Sequence, residues 1–367
     1  MISFNIILPE MNQFITNLGG INQKGLIITL FTISAAISRP FSGKLSDTIG
    51  RKKVMIFGMI VGVLVTLLYP LSGLVTFLSL RFLHGFSAGF LPTGATALVT
   101  DILPPENRGV GMGVWGTFIS AGIGVGQIIA SWITLNWGLD VLFMVAASFG
   151  VISGIMVTLL KETLPNPQPF KWTLLKIKWN DVVEPSVIPA AIVMFCSAIS
   201  TGLVFVVTPD ICGFLGINNK GWFFGFYVIS TVLIRLFVSG LSDKIGRRKT
   251  LIIGLSFMVI SMSMIAFSAT IEFFTISSIV FGISTGISSP TLFAWMADLS
   301  HEDRRGIGAG TLFIALEVGI MLGALSTLVT YNNAPDSILR VFIFGVSFSV
   351  LAIIYLIWHL HKRDSIT

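Results

Sequence analysis

The chain has 367 residues, of which 54% are hydrophobic and only 11% are Asp, Glu, Lys or Arg, and its mean hydropathy is +0.90. An average soluble domain carries roughly 25% charged residues, and so few charges could not dress a water-facing surface while hiding this much apolar side chain. A soluble enzyme, a disordered chain and a fibre are thereby excluded, and the chain belongs in a lipid bilayer.

A spanning helix needs about 20 mostly apolar residues. Taken in chain order, such segments fall near 22–42, 54–73, 75–99, 110–134, 141–160, 188–210, 222–240, 251–270, 275–297, 307–330 and 339–360. They are preceded by an apolar stub, residues 1–16, too short to cross alone and interrupted by Glu10. The stub lacks a basic n-region and a small-residue cleavage site, so it does not read as a signal peptide. It reads as the later part of a twelfth span. The expected organisation is a first bundle over 1–160, a Pro-rich, Lys-bearing surface linker over 161–187 and a second bundle over 188–367.

The net charge of +6 comes from 23 basic and 17 acidic residues. In a membrane chain such an excess reports orientation, because Lys and Arg collect in cytoplasmic loops; a nucleic-acid partner would need a soluble basic patch, and none is present. Alternate loops carry Lys44, Arg51, Lys52 and Lys53, then Arg108, then Lys161, Lys171, Lys176 and Lys178, then Lys244, Arg247, Arg248 and Lys249, then Arg304 and Arg305, and finally Lys362 and Arg363. The opposite loops have only Lys24, Lys220 and Arg340, while Arg39, Arg81 and Arg235 fall within spans. This asymmetry predicts a plasma-membrane protein with cytoplasmic termini. Cys196 and Cys212 make neither a disulfide framework nor a metal site, and His84, His301, His359 and His361 form no zinc pattern, so no metal or cofactor is expected.

Shifted by 196 positions, the sequence overlays itself. Lys24-Gly25 meets Lys220-Gly221, Arg39 meets Arg235, Asp47 meets Asp243, Gly50-Arg51-Lys52-Lys53 meets Gly246-Arg247-Arg248-Lys249, and Gly58 meets Gly254. One residue later in register, Gly89 meets Gly286, Asp101 meets Asp298, Arg108-Gly109 meets Arg305-Gly306, and Gly111 and Gly113 meet Gly308 and Gly310. Six spans separate equivalent points, an even number. The halves therefore share one orientation, as parallel repeats about an axis along the membrane normal.

Two six-helix bundles in parallel repeat, a long central loop and basic loops after the second and eighth spans resemble the major facilitator superfamily. The most specific element is Gly43-Lys-Leu-Ser-Asp47-Thr-Ile-Gly50-Arg51-Lys52, similar to the family's G-x-x-x-D-R-x-G-R-R loop but with Thr48 where Arg is frequent. Its second copy, Ser239-Gly-Leu-Ser-Asp243-Lys-Ile-Gly246-Arg247-Arg248, has Ser at the first Gly position. The resemblance implies an all-α polytopic fold and a gate in which Asp47, Arg51 and Lys52, with Asp243, Arg247 and Arg248, hold the cytoplasmic ends together in one state and release them in the other. Physically, a small residue at Gly43 would permit close helix approach, Gly50 and Gly246 a tight turn, and Asp47 a partner for Arg51 or for a helix N-terminus. The plainer alternative is that the basic residues only set topology.

An ionisable side chain in mid-span costs roughly 2.5–3.5 kcal/mol on insertion scales, so it normally faces a cavity or a partner. Glu317 is the sharpest case, about ten residues into the 307–330 span; its repeat equivalent is Ser120. Desolvation disfavours the charged form of such a carboxylate, which suits a proton carrier. The alternative is a structural hydrogen bond to a neighbouring helix. Arg81 and His84 lie in Arg81-Phe-Leu-His84-Gly85, which resembles the R-x-x-x-G element of the family's proton-driven exporters. There the Arg couples protonation to substrate; an Arg snorkelling to the surface is the alternative. His84 is of the residue type that titrates near neutrality, though a lone helical His more often packs or hydrogen-bonds. Glu10 and Asp210 each follow a Pro towards outer helix ends and form an approximate pair, lining the extracellular mouth or simply solvated there. The span at 110–134 has Gly116, Gly122, Gly124 and Gly126 but lacks the family exporters' G-P pair.

Together these features point to a secondary transporter working by alternating access. The expected activity is proton-coupled efflux of a small amphipathic or sugar-like molecule by a monomer, with no cofactor beyond the proton gradient. A nutrient importer of the same fold is the alternative within the class. A membrane enzyme or a sensor would need a cluster of catalytic groups or a signalling domain that the sequence does not display.

Overall fold

Backbone amides in hydrocarbon find no water, so each apolar run must satisfy its own hydrogen bonds as a helix. The computed structural model describes residues 1–102, 108–178, 182–238, 241–300 and 305–364, without the side chains at 100, 108–113, 237–238, 297, 305–306 and 361–364. Ser239, His301 and Arg304 therefore lie outside the described residues, and the side chains of Arg108, Arg305, His361, Lys362 and Arg363 are not described. Among the described residues every regular element is helical. Among the described residues, ten helices are long and apolar enough to cross a membrane.

The stub folds as α1 (Ile2–Asn5), a 3-10 turn over Leu8–Glu10 and α2 (Met11–Asn17). Pro9 sits in the first turn of the 3-10 segment, where its missing N–H is no loss. Ile6, Ile7, Met11 and Ile15 are wholly buried, and Phe14 packs edge-on against Phe77 and Phe143. There follow α3 (Lys24–Ile49), α4 (Arg51–Leu68), α5 (Leu74–Ile102), α6 (Arg108–Trp137) and α7 (Leu139–Leu159). The later part of the chain holds α8 (Ile188–Phe214), α9 (Trp222–Val238), α10 (Leu241–Ile245), α11 (Arg247–Ala266), α12 (Ile271–Leu299), α13 (Arg305–Thr330) and α14 (Ile338–Asp364). The remaining one of the eleven expected spans, 222–240, is α9, whose apolar part, Trp222–Leu236, is shorter than the others.

The chain divides into two compact units. The first comprises Met1–Gly20 and Leu30–Val182, the second Ile21–Thr29 and Val183–Thr367. Residues 161–178 pack with the first unit: Gln168 N–H donates to the Thr48 carbonyl, Lys44 Nζ to the Lys176 carbonyl, and Leu174 and Leu175 lie on the cluster of Leu45, Val54 and Phe90.

The internal repeat recurs in the packing of each unit. In the first, α4 packs on α5 and α7; in the second, α11 packs on α12 and α14. Glycines at matched positions make matched approaches. A Cβ on Gly58 would stand 2.9 Å from the Ser87 carbonyl oxygen, and one on Gly254 3.4 Å from that of Ser284. A Cβ on Gly89 would meet the Ala35 carbonyl oxygen at 3.0 Å, and one on Gly286 that of Thr231 at 3.1 Å. Gly85 and Gly282 likewise face the carbonyls of Phe31 and Tyr227. Gly126 in α6 approaches the backbone of Ile2 and Ile6 as Gly323 in α13 approaches that of Ile199. The stub thus takes, against α6, the place that the later half of α8 takes against α13. On this register Asp210 corresponds to Gln13, and Glu10 stands one helical turn away, so the two acids are not strict counterparts.

Candidate functional site

At the α3–α4 turn, Gly50 adopts φ +118° as the residue before α4, a conformation that side chains resist. The turn brings Arg51 back onto the end of α3. Its Nη1 lies 2.6 Å from Asp47 Oδ1 and donates to the Ser46 carbonyl at 2.6 Å, while its Nε lies 3.1 Å from Asp101 Oδ2 at the end of α5. The second unit repeats this arrangement. Gly246 has φ +89°, and Arg247 pairs with Asp243 and, at 2.8 Å, with Asp298. One guanidinium thus fastens three helix ends in each unit. The next basic residue is also repeated: Lys52 Nζ donates to the Thr158 carbonyl at the end of α7, and Arg248 Nη1 to the His359 carbonyl near the end of α14. Both meet the negative end of a helix dipole. The close approach expected at Gly43 is not found, since among the described residues a Cβ there would meet nothing within 4 Å.

Glu162, just beyond α7, was not singled out by the sequence. Its Oε1 accepts from the backbone N–H groups of Arg51, Thr163 and Leu164, and its Oε2 from that of Lys52, all at 3.0 Å. Burial alone would raise this carboxyl, but the four backbone donors together hold it below the usual carboxylate value. The carboxylate therefore caps the exposed N–H groups and positive pole of α4 from across the chain. A Cβ on Gly50 would stand 2.6 Å from Glu162 Oε2. An acid placed by tertiary packing at another helix's start leaves no local pattern to read.

Within the first unit, Arg81 of α5 is buried, which excludes snorkelling. Its guanidinium carbon lies 4.6 Å over the Phe31 ring, and its Nη1 is 3.4 Å from the Tyr69 hydroxyl. That hydroxyl is 2.8 Å from His84 Nδ1. Tyr69 also packs against Phe77 and Phe143, and the His84 ring against Phe4 and Phe31. His84 is thus a packed, hydrogen-bonded residue. Tyr69 was missed because a Tyr near a span's end is usually interfacial. Glu10 is buried and accepts from the Ser131 hydroxyl of α6 at 2.5 Å.

Within the second unit, Glu317 is the thirteenth of the 26 residues of α13. Only 8% of it is exposed, so the side chain is held inside the protein instead of meeting acyl chains. Its helix is set against α8 by Gly319 and Gly323, which face the carbonyls of Phe195 and Ile199. Asp210 lies in α8, which continues to Phe214 instead of ending near 210. Its Oδ2 is 2.6 Å from Lys24 Nζ and accepts from the Tyr331 hydroxyl at 2.9 Å, so it is bonded within protein and is not a solvated helix end. Among the described residues no cluster of His, Cys, Asp or Glu could hold a metal ion.

Comparison with known proteins places this architecture. The Major Facilitator Superfamily model matches residues 1–218 and 190–365. The multi-drug resistance efflux pump PmrA of Streptococcus pneumoniae is 26% identical over 340 residues, 88% of this chain and 83% of that protein. The staphylopine export protein of Staphylococcus aureus is 22% identical over 330 residues, 87% of this chain and 82% of that protein. In fold, the human organic anion transporter MFSD10 (TETRAN) superposes with a TM-score of 0.73 at 17% identity, covering 97% of this chain and 95% of that one. This multi-pass membrane chain, with its duplicated bundle and its pair of arginine-fastened loops, belongs to the major facilitator superfamily.

Proposed function

We propose that the chain is a secondary active exporter of small amphipathic molecules, driven by protons and working by alternating access. The observation that carries this reading is Glu317, an acid halfway along an apolar helix and buried in protein. A carboxylate there is tolerable when it can be neutralised or paired. Protonation and substrate would favour different facing states, which is what coupling requires. Arg81 supplies a fixed positive charge on the first unit, and the arginine-fastened loops act as the gate. The outward direction is supported by the relatives, two of which carry efflux or export in their names. The excess of basic residues in alternate loops supports cytoplasmic termini in a plasma-membrane protein, and the proposed working unit is a monomer.

Glu317→Gln tests the reading. In cells loaded with a panel of fluorescent amphipathic dyes, the wild type should extrude at least one dye with accompanying proton movement. The variant should lose both while reaching the membrane in normal amount. Dye-linked proton movement at the wild-type rate in the variant would overturn the role of Glu317.

A further inference from the structure

The two copies of the repeat differ in what covers them. In the first unit the α3–α4 turn is overlaid by the segment that follows α7. Gln168 N–H donates to the Thr48 carbonyl at 2.8 Å, and Leu174 and Leu175, like Ile49, pack on the cluster of Leu45, Val54 and Phe90. At the offset of 196, Thr48 and Ile49 become Lys244 and Ile245, Lys53 remains a lysine as Lys249, and Ile56 and Phe57 become Ile252 and Ile253. In the second unit Lys244, Ile245, Lys249, Ile252 and Ile253 line an open groove between α10 and the first turns of α11. Among the described residues no segment covers it: Lys244 and Lys249 are exposed, and Ile245 and Ile253 are 38% and 39% exposed.

Lys249, Ile252 and Ile253 are spaced i, i+3 and i+4, so they share one face of α11. The ammonium is on the first turn of this membrane-spanning helix and the isoleucines are a turn deeper. Lys244 and Ile245 bring a second charge and a second apolar group from α10. Arg247 between them is already engaged by Asp243 and Asp298, whose charges it offsets, whereas among the described residues neither lysine meets an acid. Cations at the water level above aliphatic side chains on a span match the layout of an anionic lipid, with its phosphate above and its chain below. Such lipids concentrate in the cytoplasmic leaflet, the side that the basic loops support for this turn. We propose that Lys244 and Lys249 bind the phosphate of an anionic phospholipid and that Ile245, Ile252 and Ile253 seat its acyl chain. The lipid thereby covers the α10–α11 turn as residues 168–175 cover the α3–α4 turn. The site uses no residue of the coupling chemistry, so it stands or falls separately from Glu317.

The test is native mass spectrometry of the full chain, released from micelles that contain phosphatidylglycerol and phosphatidylcholine with identical acyl chains. The wild type should retain phosphatidylglycerol in preference. Lys244→Gln and Lys249→Gln should each weaken that retention about fivefold, and the double variant should weaken it further. Lys244→Arg and Lys249→Arg, which keep the charge, should preserve it. Lys53→Gln, at the repeat counterpart of Lys249 but with Thr48 in place of a second lysine, should leave it unchanged. Ile253→Ser should weaken it without removing any charge, and excess glycerol phosphate should fail to displace the lipid. No preference over phosphatidylcholine in the wild type, or an equal loss in Lys53→Gln, would overturn the site. So would full displacement by glycerol phosphate, which would mark a site for free phosphate, or a lipid-independent dimer lost in the lysine variants, which would mark a second copy of the chain as the occupant.

Discussion

Arg81 is held by flat surfaces, with its guanidinium over Phe31 and against the Tyr69 hydroxyl. An ammonium keeps the charge but loses the planar stack. Arg81→Lys should therefore lower thermal stability in detergent by about 1 kcal/mol and reduce dye extrusion despite the unchanged formal charge. Unaltered stability would show that the stack contributes nothing. Glu162 gives a pH-dependent counterpart. Its carboxyl is held below the usual value in the folded protein, so its stabilising contribution is complete above the ordinary carboxylate range and is lost as pH falls through the folded value. Glu162→Gln should cost about 1 kcal/mol at neutral pH, and its melting curve should converge with that of the wild type in acid. A constant gap across the pH range would contradict the capping role. Glu317 and Arg81 were legible in the sequence because a charge inside an apolar span stands out. Glu162, Tyr69 and Tyr331 were not, because their partners are assembled only by folding.

At the scale of elements, Gly50 shows how one backbone conformation sets a site. Its φ of +118° turns the chain so that Arg51 reaches Asp47 and Asp101, and the Glu162 carboxylate fills the space that a Cβ would need. Gly50→Ala should destabilise the first unit by roughly 1–3 kcal/mol, read as a lower melting temperature, whereas Gly43→Ala should be nearly neutral because nothing crowds that position. Equal effects at the two positions would refute this reading of the loop. The tight turn at Gly50 and its copy at Gly246 could be anticipated from their place in the motif. The open surroundings of Gly43 could not, since a small residue in a helix looks the same whether or not a neighbour approaches. The extents of α8 and of the stub were similarly obscured. Pro209 reads as a helix end but lies inside α8, and Pro9 divides the stub by a 3-10 turn.

At the scale of the whole chain, duplication was the most legible property. Among the residue identities recurring at an offset of 196 or 197, three glycine pairs, Gly58 with Gly254, Gly85 with Gly282 and Gly89 with Gly286, lie at matched close approaches of helices, which explains why those glycines recur. The acid proposed to carry the proton departs from the repeat, since the position equivalent to Glu317 is Ser120; Glu10 and Asp210 depart from it too, being out of register by a turn. The most direct measurement of the central claim is dye movement in inverted membrane vesicles under an imposed pH gradient. An acid lumen should drive dye inward as protons leave, and Glu317→Gln should abolish that coupling. Accumulation instead in right-side-out vesicles, with protons and dye moving in the same direction, would contradict the account.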